Sequence, residues 1–118
     1  MLSKETELII NCKDVPRELC MDDEFIHDTL IKAADLMGMK VRASASYNAN
    51  HDTPPGSIVF VMVDKSFLYT HTFADKKRMT IRVFTCGDAD PMKGWIYIKR
   101  AFKLAERNFT IKEELMEY

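Results

Sequence analysis

Cysteine is scarce in this chain of 118 residues: there are three, Cys12, Cys20 and Cys86, with no Cys-x-x-Cys and no paired spacing. That argues against a disulfide framework and against a thiolate zinc site, and it fits a reducing, cytoplasmic setting. Glycine is as sparse, four scattered residues with no Gly-rich phosphate loop among them. Seventeen basic and 18 acidic residues leave a net charge of −1, so bulk electrostatics point to neither nucleic acid nor an anionic membrane. The locally basic stretches "DKKR" and "KRAFKLAER" read as solvated faces. A long apolar run is missing too. The N-terminal "MLSKETELIINCKD" has only a short one, broken by polar residues, so neither a membrane span nor a signal peptide is expected in it. No set of three or four His, Cys, Asp or Glu has the spacing of a metal site, so no metal is expected.

What remains is 47% apolar and 30% charged, the composition of one globular domain spanning residues 1–118 with a core of its own. "TELIINCK" (6–13) reads as a strand, with Leu8 and Ile10 on one face and Ile9 on the other. "MDDEFIHDTLIKAADLMGMK" is helical: Asp22 or Asp23 caps it, Ile26, Leu30, Ala33, Ala34 and Met37 form one stripe, and Gly38 ends it. "KVRASASYN" (40–48) alternates like a half-buried strand. "ANHDTPPGS" has turn chemistry. "SIVFVMV" (57–63) is apolar throughout, as in a central strand covered on both faces. "SFLYTHTF" fits another strand after a sharp bend, and "RMTIRVFTC" (78–86) a further one. Asp90-Pro91 starts a second helix with Trp95, Ile98, Phe102 and Ala105 on its apolar face, and "NFTI" fits a short last strand.

The expected order is β-α-β-β-β-α-β, an α+β two-layer sandwich in which a mainly antiparallel sheet carries two helices on one face. Its other face then needs a partner, which makes a homodimer the expected assembly.

The polar residues in these apolar segments admit both plain and reactive readings. Ser66, His71 and Cys86 are each compatible with ordinary strand positions. His27 falls on the helix beside Asp28, and His51 in the polar loop. Periodicity alone stops at a small α+β domain that self-associates.

The stretch "KSFLYTHTFAD…MTIRVFTCGDADP" goes further. It resembles the core of the prokaryotic S-adenosylmethionine decarboxylases, whose signature runs roughly "ESHLSIHTWPE…A.IDVFTCG…DP". The serine, "HT", "FTCG" and "DP" keep the family's spacing, and "PPGSIVFVMV" resembles its proline–glycine loop and hydrophobic strand.

The resemblance implies a pyruvoyl-dependent carboxy-lyase of polyamine (spermidine) biosynthesis that makes its own cofactor. Ser66 would attack the Lys65 carbonyl, and elimination from the ester would cut Lys65–Ser66 and leave a pyruvoyl group on residue 66. That group forms a Schiff base with the amine of S-adenosylmethionine and acts as the electron sink for decarboxylation. The resemblance makes His71 the processing residue, Cys86 the proton donor and Asp75 the carboxylate that binds the nucleoside. Lys65 stands where the family has glutamate, and Phe67 where it has histidine. The family's second processing serine falls at Ile58, with Ser57 one residue away and so on the opposite face of a strand. The rival expectation is an uncleaved, non-catalytic homologue that binds a nucleoside or a partner subunit.

Overall fold

Alternating burial organises the sheet from its first strand. The computed structural model describes residues 3–51 and 54–118, so Asp52 and Thr53 of the "ANHDTPPGS" loop lie outside the described residues. In β1 (Lys4–Cys12), Leu8, Ile10 and Cys12 are buried on one side and the residues between them are not. A short helix α1 (Arg17–Cys20) leads into α2 (Asp23–Leu36). The Asp22 carboxylate caps α2 by accepting from the Phe25 N–H at 3.0 Å. Its expected stripe of Ile26, Leu30, Ala33, Ala34 and Met37 is buried, and Gly38 takes φ 73° just past its end, where a side chain would be strained.

Four strands then run back and forth: β2 (Val41–Asn48), β3 (Ser57–Val63), β4 (Ser66–Phe73) and β5 (Arg78–Cys86). Helix α3 (Pro91–Ala101) follows, capped by the Asp90 carboxylate, which accepts from the Met92 N–H at 2.9 Å. Strand β6 (Phe109–Glu117) completes the chain.

The sheet order is β2-β3-β4-β5-β1-β6, with every neighbouring pair antiparallel. Helix α2 packs over β2, β3 and β4, and α3 over β5 and β1, both on one face. Between helices and sheet, Leu8, Ile10, Leu30, Val61, Leu68, Ile81, Trp95 and Ile98 form the core. The two-layer α+β sandwich is therefore the one the sequence predicts.

Its details differ in four places. Four strands, not three, separate the main helices, and α1 is an additional turn of helix. Strand β2 is an edge strand and largely exposed, because α2 reaches only its polar side: His27 Nε2 meets Ser44 Oγ at 2.8 Å and Ser46 Oγ donates to Asp23 at 3.3 Å. Strand β3 is covered on one face only, leaving Ile58, Phe60 and Met62 each about 40% exposed on the other. Strand β6 is nine residues long, more than twice the expected length.

Candidate active site

Two residues, Asp64 and Lys65, connect β3 to β4, since Val63 pairs directly with Ser66. The turn needs a residue in the left-handed region, and Asp64 supplies it at φ 49°; aspartate tolerates that conformation better than most side chains. The turn is also clamped. Asp64 Oδ1 accepts from Arg42 Nε at 2.9 Å and Nη2 at 2.6 Å, and the Lys40 N–H donates to Oδ2 at 3.3 Å. The hydrogen bonds from Arg42 hold the Asp64 carboxyl below its ordinary range.

Ser66 follows this clamped turn as the first residue of β4. Its side chain lies on the helix-covered side and is only 3% exposed. The hydroxyl oxygen accepts from the backbone N–H of Cys86 at 3.0 Å. Cys86 is the last residue of β5, half-buried, and Gly87 then turns at φ 77°. The antiparallel β4–β5 ladder thus brings the Ser66 side chain to the Cys86 backbone, while the Cys86 thiol follows Phe84 onto the open face.

His71 and Asp75 are not with them. Strand parity puts Ser66, Leu68, Thr70 and Thr72 on the covered face and Phe67, Tyr69, His71 and Phe73 on the open one. His71 is also five residues from Ser66, about 16 Å along an extended strand. It sits 4.7 Å from the Phe73 ring, in a cavity of about 320 Å³ with Tyr47, Pro54, Gly56 and Ile58. Asp75 lies beyond the far end of β4 in a turn of 3-10 helix, where its Oδ1 accepts from Arg17 Nε at 3.2 Å.

Ser57 is on the covered face, as its position predicts. Its Oγ donates to the Cys20 carbonyl at 2.8 Å, Thr72 Oγ1 donates to the same carbonyl at 2.7 Å, and the Ser57 N–H donates to Thr72 Oγ1 at 2.8 Å. No bulge brings it across; the one irregularity in the β2–β3 register lies between Val41 and Ala43. Ile58, directly opposite His71, occupies the open face.

Sequence reasoning missed the residues that surround Cys86. Glu5 is its register partner on β1, and Phe84 stacks on Phe67, which stacks on Phe60, at 5.1 and 5.3 Å. A hollow of about 370 Å³ next to them is lined by Glu5, Glu7, Phe84, Glu114, Leu115 and Met116. Glu7 pairs with Arg82 at 3.0 Å. A hydrogen bond to the Glu5 carboxylate pushes the Tyr118 phenol up. The early Glu-Thr-Glu was legible as two same-face carboxylates once β1 was assigned; their proximity to Cys86 needs the β1–β5 register, which sequence does not give. Among the described residues no cluster of three or more His, Cys, Asp or Glu could hold a metal ion, and no helix is long and apolar enough to cross a membrane.

A family model described as S-adenosylmethionine decarboxylase matches residues 6–113. An S-adenosylmethionine decarboxylase proenzyme from Caldanaerobacter subterraneus is 36% identical over 90 residues, covering 75% of this chain and 70% of the relative. An arginine decarboxylase proenzyme from Aeropyrum pernix is 31% identical over 98 residues, covering 82% and 72%. The crystal structure of the adenosylmethionine decarboxylase from Aquifex aeolicus matches the fold with a TM-score of 0.75 at 18% identity, over 95% of this chain and 88% of that one. The class is accordingly a decarboxylase, a carboxy-lyase. The chain belongs to the S-adenosylmethionine decarboxylase family.

Proposed function

We propose that this chain is a cytoplasmic proenzyme that breaks its own Lys65–Ser66 bond and then decarboxylates S-adenosylmethionine for polyamine synthesis. The observation that carries the reading is the placement of the Ser66 hydroxyl, held at 3.0 Å by the Cys86 N–H directly after a clamped, left-handed turn. Addition of Ser66 Oγ to the Lys65 carbonyl replaces the amide by an ester. Removal of the Ser66 α-proton then expels the Lys65 carboxylate, and water replaces the freed amine of residue 66 as ammonia. The residues fit the pyruvoyl group so formed: its parent serine starts β4 against the backbone of Cys86, and once the chain is cut there the new end of β4 lies next to the Cys86 thiol, which sits on the open face and can return a proton to the substrate's α-carbon. When present, the pyruvoyl group supplies the electron sink for loss of carbon dioxide.

His71 enters this reading through a second copy. Within one chain His71 is on the face opposite the Ser66 hydroxyl and about 16 Å away from it along β4. A homodimer packed open face to open face covers Ile58, Phe60, Met62 and the phenylalanine stack, apolar surface of the kind that marks an interface. It also brings the second copy's His71 to the open side of the Lys65–Ser66 peptide, opposite the Ser66 hydroxyl, where it can serve processing. The role of the Asp75 carboxylate at the ribose hydroxyls rests on the family resemblance alone. A second substrate, arginine, is supported by the name of the Aeropyrum relative and by Glu5, Glu7 and Glu114 around the hollow beside Cys86. Paired carboxylates suit a guanidinium.

Intact mass under denaturing conditions tests the proposal. The expected result is two chains, 1–65 and 66–118, with Ser66→Ala remaining whole. A single uncut wild-type chain after long incubation leaves only the non-catalytic reading, as a nucleoside binder or a partner subunit. Carbon dioxide release from each amino acid then decides between S-adenosylmethionine and arginine. Co-expressing Ser66→Ala and His71→Ala chains should cut the His71→Ala chain; if it stays whole, processing does not use a second copy's histidine.

A further inference from the structure

Strand β6 closes one side of the sheet, with β1 on its inner edge and no strand on its outer edge among the described residues. The backbone fixes which of its groups are free. Tyr118 and Ser3 exchange both of their hydrogen bonds, at 2.7 and 2.8 Å. In an antiparallel ladder residues two apart behave alike, so Met116, Glu114, Lys112 and Thr110 also direct their backbone groups at β1. Ile111, Glu113, Leu115 and Glu117 therefore point theirs outward.

The side chains of this edge are complementary to themselves. Ile111 and Leu115 share the helix side of the sheet but lie beyond the reach of α3, and remain 41% and 56% exposed. Lys112 and Glu114 share the other side and pair within the strand at 3.1 Å. Edge strands usually carry charges that repel a neighbouring strand. In one register these charges do the opposite. We propose that β6 is a self-association edge, joining two copies of this chain antiparallel about a two-fold axis at Glu113.

That register sets Ile111 against the second copy's Leu115 and Lys112 against its Glu114, each pair occurring twice. It also aligns the outward backbone groups of residues 111, 113 and 115, for about six interchain hydrogen bonds. The neighbouring symmetric registers do worse: centring on Lys112 opposes that lysine to itself and Ile111 to Glu113, while centring on Glu114 opposes that glutamate to itself and Leu115 to Glu113. The cost of the favoured register is the two Glu113 side chains at the axis. The product is one continuous sheet through both copies with the helices on the same side. This goes beyond the proposed open-face dimer and does not depend on it, because it uses an edge and not the face.

Native mass by sedimentation equilibrium on the full chain tests the proposal. Glu113→Pro removes an outward N–H while keeping the β1 ladder, a position where an edge strand accepts proline. Lys112→Glu sets two glutamates against each other across the axis. Each is expected to halve the wild-type mass, from dimer to monomer, or from tetramer to dimer if the open faces also associate. The double reversal Lys112→Glu/Glu114→Lys restores the opposite pairing and should restore the wild-type mass. Unchanged mass in both single variants overturns the proposal, as does a double reversal that stays at half mass. If Glu113→Pro fails to fold, the charge-reversal series is sufficient by itself to support or overturn the edge pairing.

Discussion

Gly56 is the position where the smallest addition should do the most damage. A Cβ built on it would lie 2.1 Å from the Thr72 carbonyl oxygen and 3.0 Å from that carbonyl carbon. Both are backbone atoms of the adjoining strand, so no rotamer change relieves the contact. Moving Thr72 also disturbs the buried knot in which Thr72 and Ser57 both donate to the Cys20 carbonyl. Overpacking alone costs about 1–3 kcal/mol, and loosening a buried hydrogen bond adds about 1 kcal/mol. Gly56→Ala should therefore lose about 3 kcal/mol, or about 12 °C in Tm at about 4 °C per kcal/mol for a domain of this size. Paired urea and thermal unfolding of Gly56→Ala and Gly56→Ala/Thr72→Ser gives the measurement. Because the clash is with backbone, trimming the Thr72 methyl should recover little. A loss under about 0.5 kcal/mol, or full recovery in the double variant, would refute the reasoning.

Three further outcomes follow from the structure. Asp64→Gly relaxes the left-handed turn and removes the Arg42 clamp, so cleavage at Lys65–Ser66 should slow by about threefold or more while the chain stays folded; a mass-spectrometric time course reads it, and cleavage at the wild-type rate or faster rejects a role for the turn. Burial pushes the Cys12 and Cys20 thiols up to about 12 and about 11 from an ordinary 9.0, so iodoacetamide at about pH 8 should label only Cys86 in the native protein. The raised values also fix a sign: the stabilisation is complete below the unfolded thiol value near 9 and is lost as pH rises toward 11 and 12, so the urea midpoint should fall across that window.

The parts of the fold legible in the sequence are those where one residue's burial repeats with a fixed period. The α2 stripe and the alternation of β1 and β5 are of this kind, because each element buries one face against the same layer. The misreadings share a cause. "SIVFVMV" looks like a strand covered twice, yet its second apolar row faces open surface that a single chain does not fill. "NFTI" reads as a strand but the "KEELME" that continues it does not, because an edge outside the helix layer has no buried face to impose a pattern. Where the packing partner is absent or lies in another molecule, hydrophobic pattern and secondary structure come apart.

The site follows the same logic more strictly. Ser66 and Cys86 are 20 residues apart and meet because β4 and β5 form an antiparallel pair closed by a short turn, a contact the hairpin pattern makes legible. Ser66 and His71 are five apart, an odd number, and in any strand an odd separation means opposite faces. Resemblance gathers both into one set of roles, but the period of the strand separates them before any tertiary contact is considered. A single fold of this kind brings the Ser66 hydroxyl to the backbone of Cys86. It cannot also turn His71 toward that hydroxyl without breaking β4, whose ladder to β3 and β5 is unbroken from Phe67 to His71. The open apolar face and the split of the site are thus one fact seen twice: the surface left uncovered by the helices is the surface that carries Cys86, His71 and the phenylalanine stack.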